Sequence, residues 1–434
     1  MADRNTDTVM KKTLAPVAAL LIGISILLTG QGLQGTLLPI RASLEEFATI
    51  SIGIMGAMYF LGFTAGCLRG GELVRRVGHI RVFAAMTALA SSIPLLHGLF
   101  LNPWIWGLFR MITGFCFAVL YVVIESWLNE QSSNETRGTI FSIYTVITLT
   151  VMACGQMLLL VESPAEFYLF AVASVLVSLA AIPVVLSISP SPLQPHTVRP
   201  DISKIYRISP AGTLGCLATG LANGSFWSLA PVFAASVAND YSLAAWFMTA
   251  AVVGGAIAQW PLGYLSDKFG RRELQTLSAL TAASVGAAIV LLSDNASFLA
   301  VALLGAAWGA FAFPLYAISV AHTNDHADPS DYVMVSSGLL LMYGIGAILG
   351  PFIASTLMTW TGPAGLFFFA TTIHLLLVTY TILRSFKRES TPADQHIAFS
   401  DALASAQTAS QVYEEEIQSS HDEEDPVLPE TSAS

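Results

Sequence analysis

The sequence predicts an all-α membrane protein of twelve transmembrane helices arranged as two six-helix repeats. Its composition is apolar: 54% of the 434 residues are hydrophobic and only 11% are charged, against about 25% in ordinary soluble domains. Stretches near twenty apolar residues, the length a helix needs to cross a bilayer, recur twelve times along the chain. Finally, one short glycine-bounded basic motif is written twice, as Gly71-Glu-Leu-Val-Arg75-Arg76-Val-Gly78 and as Gly263-Tyr-Leu-Ser-Asp267-Lys268-Phe-Gly270-Arg271-Arg272, 192 positions apart. Each copy separates two apolar stretches and so reads as a tight polar turn between membrane helices. A soluble enzyme has no reason to repeat such a turn at half its length, whereas a transporter built from two homologous halves does.

Residues 1–13 form a short arm ending near Lys11 and Lys12. The first apolar stretch could suggest a signal peptide, but it is too long for an h-region and no small-residue cleavage site closes it. It therefore counts as a span. The twelve spans fall at roughly 14–38, 48–68, 80–101, 103–128, 138–160, 165–189, 211–236, 242–264, 274–292, 297–321, 332–358 and 363–384. The halves are 14–189 and 211–384. Between them, 190–210 carries Pro190, Pro192, Pro195 and Pro200 with Arg199, Lys204 and Arg207, and reads as a linker. Residues 385–434 form a tail. From 389 onward it holds eleven acids and no Lys or Arg, while the rest of the chain holds eighteen acids and nineteen bases. The net charge of −10 thus belongs to the tail, which is too polar to repay ordering and is expected to be disordered.

Seventeen of the nineteen Lys and Arg residues fall in the arm, the even-to-odd loops, the linker or the segment after the last span. The opposite side receives only Arg41, and Arg110 lies inside a span. The positive-inside bias then places both termini in the cytoplasm.

The repeat extends beyond the turns. At the same offset Gln31-Gly32 meets Asn223-Gly224, Pro39 meets Pro231 and Gly62 meets Gly254. After a three-residue insertion, Gly114 meets Gly309, Leu120-Tyr121 meets Leu315-Tyr316, Asn129-Glu130 meets Asn324-Asp325, and Gly155 meets Gly350. Twelve spans in two such halves, with this turn after the second span of each, resemble the major facilitator superfamily. The turn from Gly263 to Arg272 is a close match to that family's loop motif; the first copy has Arg75 where the acid belongs and His79 where the first base belongs. The stretch Gln259-Trp260-Pro261-Leu262-Gly263, with Val123-Ile124-Glu125-Ser126 and Gly346-Ala-Ile-Leu-Gly350-Pro351, resembles the YcaD-like branch. The resemblance covers 14–384 and implies the major facilitator fold, with the turn motif as a conformational gate. Its residues are Gly71, Arg75 and Gly78 in the first copy, and Gly263, Asp267, Lys268, Gly270, Arg271 and Arg272 in the second. Physically, Gly263 allows close approach, Gly270 supplies a positive φ, and Asp267 accepts from neighbouring helix-end amides or pairs with an Arg. A topology anchor is the alternative role.

Arg110 lies seven or eight residues into the fourth span, about 11 Å deep. An Arg at the bilayer centre costs roughly 2.5–3.5 kcal/mol on insertion scales, so it should face a polar interior. It matches the family's helix-four Arg-x-x-x-Gly pattern, which implies proton or substrate coupling; a structural Arg bonded to carbonyls is the other reading. Glu125 follows on the same helix, about 22 Å further along and within about 60° around it. It either carries a coupling proton or bonds Trp127 or backbone at the helix end.

Gln31, Gln34 and Asn223 sit in the first and seventh spans, which line the central path in this family, and suit substrate selection or inter-helix bonding. Tyr121 and Tyr316, with Trp227, Phe226 and Trp308, make either an aromatic wall or plain packing. Gly62 and Gly66, and Gly346, Gly350 and Pro351, are small-residue faces expected where the halves slide on one another. The Gly-Pro pair also resembles the family's antiporter pattern, but that pattern marks the fifth span, where this chain reads Gly155-Gln156. His322, Asp325, His326, Asp328 and Asp331 cluster after the tenth span and read as a polar turn rather than a metal site.

The four cysteines stand alone, and no Walker loop, His-Glu-x-x-His or Gly-x-Ser-x-Gly motif is present. No enzyme, cofactor, metal or nucleic-acid partner is called for. The expected function is secondary active transport by alternating access in a bacterial inner membrane, by a monomer, with proton-coupled export of a small amphipathic compound leading. Uptake of a small metabolite is the alternative. A non-transporting membrane sensor, suggested only by the acidic tail, is the competing class.

Overall fold

In a membrane interior every backbone N–H and C=O must be satisfied within the chain, which leaves the α-helix as the economical solution for apolar runs of this length. The computed structural model describes residues 17–132, 136–186 and 201–386. The arm, the first part of the linker and the acidic tail lie outside the described residues. Among the described residues twelve helices are long and apolar enough to cross a membrane. They are α1 (Ala18–Leu44), α2 (Thr49–Val77), α3 (His79–Leu99), α4 (Pro103–Glu130), α5 (Arg137–Met157, extended by a turn at Leu158–Leu160) and α6 (Tyr168–Leu179 with Ala181–Val185). A short linker helix, Ile202–Ile208, precedes α7 (Pro210–Ala238), α8 (Tyr241–Lys268), α9 (Arg271–Leu292), α10 (Phe298–Ala312 with Leu315–Asn324), α11 (Tyr332–Thr361) and α12 (Gly365–Ser385).

Local chemistry sets the starts. Asn102, Ser209 and Ser297 each accept a backbone N–H from the first turn of the following helix, and Pro103 and Pro210 occupy positions where no N–H is needed. Asp240 accepts from the Ser242 backbone and hydroxyl, and these bonds hold its carboxyl below its ordinary range. Pro314 divides α10 because it can neither donate to the ladder nor tolerate the preceding turn. Inside the spans, Ser25, Thr29, Thr113 and Ser126 return their hydroxyls to the carbonyl four residues back, so they are satisfied in apolar surroundings.

The repeated basic motif is mostly helix, not turn. Gly71 to Val77 are the last two turns of α2, and Gly263 to Lys268 close α8. The chain reverses at Gly78, whose φ of 92° suits glycine. At Gly270 the expected positive φ is absent: it has φ −59°, and the reversal is carried by extended backbone at Phe269.

The repeat is visible in packing. A Cβ at Gly62 would meet the Met111 carbonyl oxygen at 1.8 Å and one at Gly114 would meet the Tyr59 oxygen at 2.0 Å, locking α2 to α4. The equivalent glycines, Gly254 and Gly309, lie on the Ala306 and Ala251 carbonyls at 2.1 and 2.2 Å, locking α8 to α10. Likewise Gly155 lies on Thr29 between α1 and α5, and Gly350 on Leu221 between α7 and α11. The glycines of the small-residue faces expected to slide between halves therefore pack within them, Gly62 and Gly66 against α4 and Gly346 and Gly350 against α7, whereas Pro351 of the same set meets the other half at Gly53. Small-residue spacing sets how closely backbones approach, but it does not name the partner.

Contact between the halves is concentrated on the face away from the termini. There Gly53 meets Ser355 and the Pro351 carbonyl, Gly56 meets Ser228, and the Thr249 hydroxyl reaches Ala153 O and Gln156 Oε1 at 3.4 and 3.3 Å. On the terminal face α4 and α10 form no packed pair. An aromatic core stiffens the second half, with Phe226 stacked on Trp308 at 4.7 Å and Phe233 edge-on to Phe367 at 4.9 Å.

Candidate solute-binding cavity

Between the halves lies a cavity of about 360 Å³, floored by the far-face packing. Helices α1, α2, α4 and α5 supply one wall, and α7, α8 and α11 the other. Leu68, toward the terminal face, lines it and is 53% exposed. The first-half wall mixes Gln31, Gln34, Tyr59, Arg110 and Tyr121 with apolar side chains, and among the described residues Arg110 is the single charged one lining the cavity. The facing wall brings Trp227, Met248, Leu340 and Leu341 together with Ser228, Ser337 and Tyr343, and no charge.

The polar wall is one connected network. The Arg110 guanidinium lies over the Tyr59 ring at 4.2 Å. Gln31 Nε2 donates to the Tyr59 hydroxyl at 2.9 Å, and the Tyr121 hydroxyl donates to Gln31 Oε1 at 2.9 Å. Among the described residues Arg110 has no ion pair or hydrogen bond, so its stacking on Tyr59 leaves guanidinium N–H groups for whatever occupies the cavity. Gln34 also lines the cavity, and neither end of its buried amide has a partner.

Glu125 sits one helical turn beyond Tyr121, behind the wall and 7% exposed. It interacts electrostatically with Cys67, Tyr121 and Tyr144 of its own half and with Tyr316 of the other. Neither Trp127 nor the backbone bonds its carboxyl among the described residues. Asn223 and Tyr316 stand behind the opposite wall: Asn223 lies beside the Tyr343 side chain, and the Tyr316 ring packs on Tyr343 at 5.1 Å. Of the proposed aromatic wall, Trp227 faces the cavity, whereas Phe226 and Trp308 are buried in the second-half core.

The motif residues are on the terminal face, away from the cavity. Arg271 pairs with Asp267 at 3.3 Å and with Asp325 at 2.7 Å, the latter with both side chains 1% exposed. Arg272 reaches Glu273 at 3.4 Å, and Lys268 lies over the Tyr264 ring at 4.5 Å. In the first copy Arg76 pairs with Glu72, Arg75 is exposed, and His79 stands where Arg271 would, against Trp127. The loop histidines contact each other, and Asp325 is already held by Arg271. Among the described residues no group of three or more His, Cys, Asp or Glu side chains is placed to hold a metal ion.

Tyr59, Gln156 and Tyr343 complete the site without having been marked in the sequence. Tyr59 has Ala251 at the repeat position, so comparing the halves gave no signal. A mixed polar and aromatic face along α2, running Tyr59, Phe63 and Cys67, was the available clue.

The Major Facilitator Superfamily model matches residues 20–239 and 212–414. An uncharacterized MFS-type transporter YcaD of Escherichia fergusonii is 27% identical over 379 residues, covering 87% of this chain and 97% of that protein. A YcaD from Escherichia coli is 27% identical over 348 residues, covering 79% and 89%. Among solved structures, a mutant of the nucleoside transporter NupG superposes with TM-score 0.74 at 13% identity, covering 84% of this chain and 98% of that one. A bacterial homologue of the human lysosomal transporter Spinster, inward-facing and occupied, gives 0.67 at 14% identity, covering 90% and 96%. The Escherichia coli fucose:proton symporter FucP gives 0.53 at 13%, covering 86% and 99%. With the family model spanning nearly all of the described helices and the repeat built into their packing, the chain belongs to the Major Facilitator Superfamily.

Proposed function

We propose that this multi-pass transporter moves a small amphipathic solute through the central cavity by alternating access, coupled to protons at Glu125. The observation that carries the reading is the setting of that carboxyl. It is enclosed, without a cation or hydrogen-bond donor among the described residues, and it lies within electrostatic reach of Tyr121 on the cavity wall and of Tyr316 in the opposite half. An enclosed carboxyl with no partner is tolerated when it holds a proton and becomes costly when it releases one. Rearrangement of the halves changes what Tyr316 presents to it, which ties protonation to conformation. Closure on the far face with an unpaired terminal face fits one end of such a cycle.

Two directions use these parts. Exchange of solute for protons gives export, the direction expected from the sequence; co-transport gives uptake, which the likeness to a fucose:proton symporter favours. The membrane is read as a bacterial inner membrane with both termini cytoplasmic, on the strength of the basic residues gathered on one side. Single cysteines at Gln131 and Glu162 should then label from opposite faces with an impermeant reagent.

The test is flux in proteoliposomes under an imposed pH gradient, using solutes selected by thermal stabilisation of the purified protein. Wild-type flux should follow the gradient, rising with external acid for co-transport and with internal acid for exchange. Glu125→Gln should lose that dependence yet still exchange solute for solute. Flux indifferent to the gradient in the wild type would remove proton coupling from this reading.

A further inference from the structure

We infer that the solute is an organic anion with an apolar body, its acidic head held by Arg110. The inference rests on the reading of the cavity as a transport site and adds the chemical class of what enters it. Three features of the cavity converge. Among the described residues Arg110 is the only charged side chain in its lining, and it meets no carboxylate there. Its one strong contact is the face of Tyr59, which supports the guanidinium plane without using its N–H donors. A guanidinium placed this way, in a space walled from lipid, presents a fork suited to a carboxylate, phosphonate or sulfonate.

The groups nearby fit the same occupant. Gln34, with a buried amide lacking partners at both ends, offers a further donor in the same lining. Tyr59 is itself fixed through Gln31 and Tyr121, so the cation's support is positioned before any solute arrives. Across the cavity Trp227, Met248, Leu340 and Leu341 provide apolar surface for the rest of the molecule and no charge. A cationic solute would face Arg110 with no acid in the lining to offset it. A neutral solute would leave the guanidinium unpaired in both the empty and the loaded protein.

The experiment is thermal unfolding of the purified full chain with matched probes: phenylacetate, benzylphosphonate and toluenesulfonate, their neutral counterpart phenylacetamide, the cation phenethylamine, and the inorganic ions chloride and phosphate. At least one organic anion should raise the melting temperature saturably, with a half-saturating concentration about tenfold or more below that of the amide or amine. Arg110→Gln should lose the preference, and Arg110→Lys should keep its sign with a smaller shift. Equal stabilisation by the neutral or cationic probe, stabilisation by chloride or phosphate as strong as by the organic anions, or no shift from any organic anion would each overturn the inference. The comparison among probes on the wild type stands even if Arg110→Gln fails to fold. Failure here is separable from failure of the transport reading: proton-coupled flux of a neutral solute would sink the anion and leave coupling intact, whereas pH-indifferent flux of an organic acid would do the reverse.

Discussion

At the scale of single residues, the site is built by side chains that pre-position one another. Arg110 leans on Tyr59, Tyr59 accepts from Gln31, and Gln31 accepts from Tyr121, which lies one turn from Glu125. This path joins two ionisable groups that are too far apart along α4 to meet directly. Arg110→Lys should therefore abolish coupled transport although the charge is kept. The planar guanidinium both covers the ring and leaves donors free, and an ammonium has neither the plane nor the fork. The check is flux under a pH gradient beside solute exchange at equal pH; coupled flux within about twofold of wild type would show that the charge alone suffices. Arg110, Gln31 and Gln34 were legible in the sequence because polar groups in apolar helices demand an explanation. Tyr59 and Tyr343 were not, since a tyrosine in a membrane helix is ordinary until the fold sets it against an arginine or an asparagine.

At the scale of elements, the number and order of the helices followed from apolar length and charge, but their junctions did not. The basic motif looked like a loop because it is polar, yet a helix needs no apolar residues once it passes the membrane surface, so α2 and α8 run on to Val77 and Lys268. The glycine faces were legible as close approaches and misplaced as to partner, because spacing along one helix carries no information about the helix opposite. Their tightness has a consequence for stability. Gly114→Val should destabilise the protein by about 1–3 kcal/mol or more, since the added carbons press on the Tyr59 carbonyl rather than on a side chain that can turn away. Detergent-solubilised protein should show it as a lower melting temperature; an unchanged one would mean the α2–α4 crossing is looser than its geometry. The ion pairs at the end of α8 suggest a different experiment. Asp267→Asn should slow the transport cycle with insertion and folding intact, because the carboxylate helps hold Arg271, which also grips Asp325 at the end of α10. Arg75→Ala should matter less, as the first copy has no acid there and Arg75 is exposed. Equal flux in wild type and Asp267→Asn would make the motif a topology anchor.

At the scale of the whole molecule, the internal repeat was readable to the residue, because the same carbonyl–glycine contacts recur at offsets of 192 and 195. What the repeat conceals is the asymmetry on which the proposed cycle rests: the cavity's cation and the enclosed carboxyl both sit in the first half, and the second half brings no charge to the lining. That distribution constrains the cycle. Moving net charge through a low-dielectric interior is costly, so each state that rearranges should be close to neutral. An empty protein with Arg110 charged and Glu125 ionised carries no net charge, although each separated ion still has its own burial cost; a loaded one with an organic anion on Arg110 and a proton on Glu125 carries none and leaves neither group unpaired. An anion alone, or a proton alone, leaves the sum unbalanced and should hinder the change. In the co-transport direction the expected stoichiometry is one proton with each monoanion, which makes the step electroneutral. In proteoliposomes a pH difference of one unit should support about tenfold accumulation of the acid, while a potassium potential set with valinomycin should change neither the rate nor the final level. Accumulation that follows the imposed potential would show that net charge crosses with the solute, and the pairing of Arg110 with Glu125 as balancing charges would have to be abandoned.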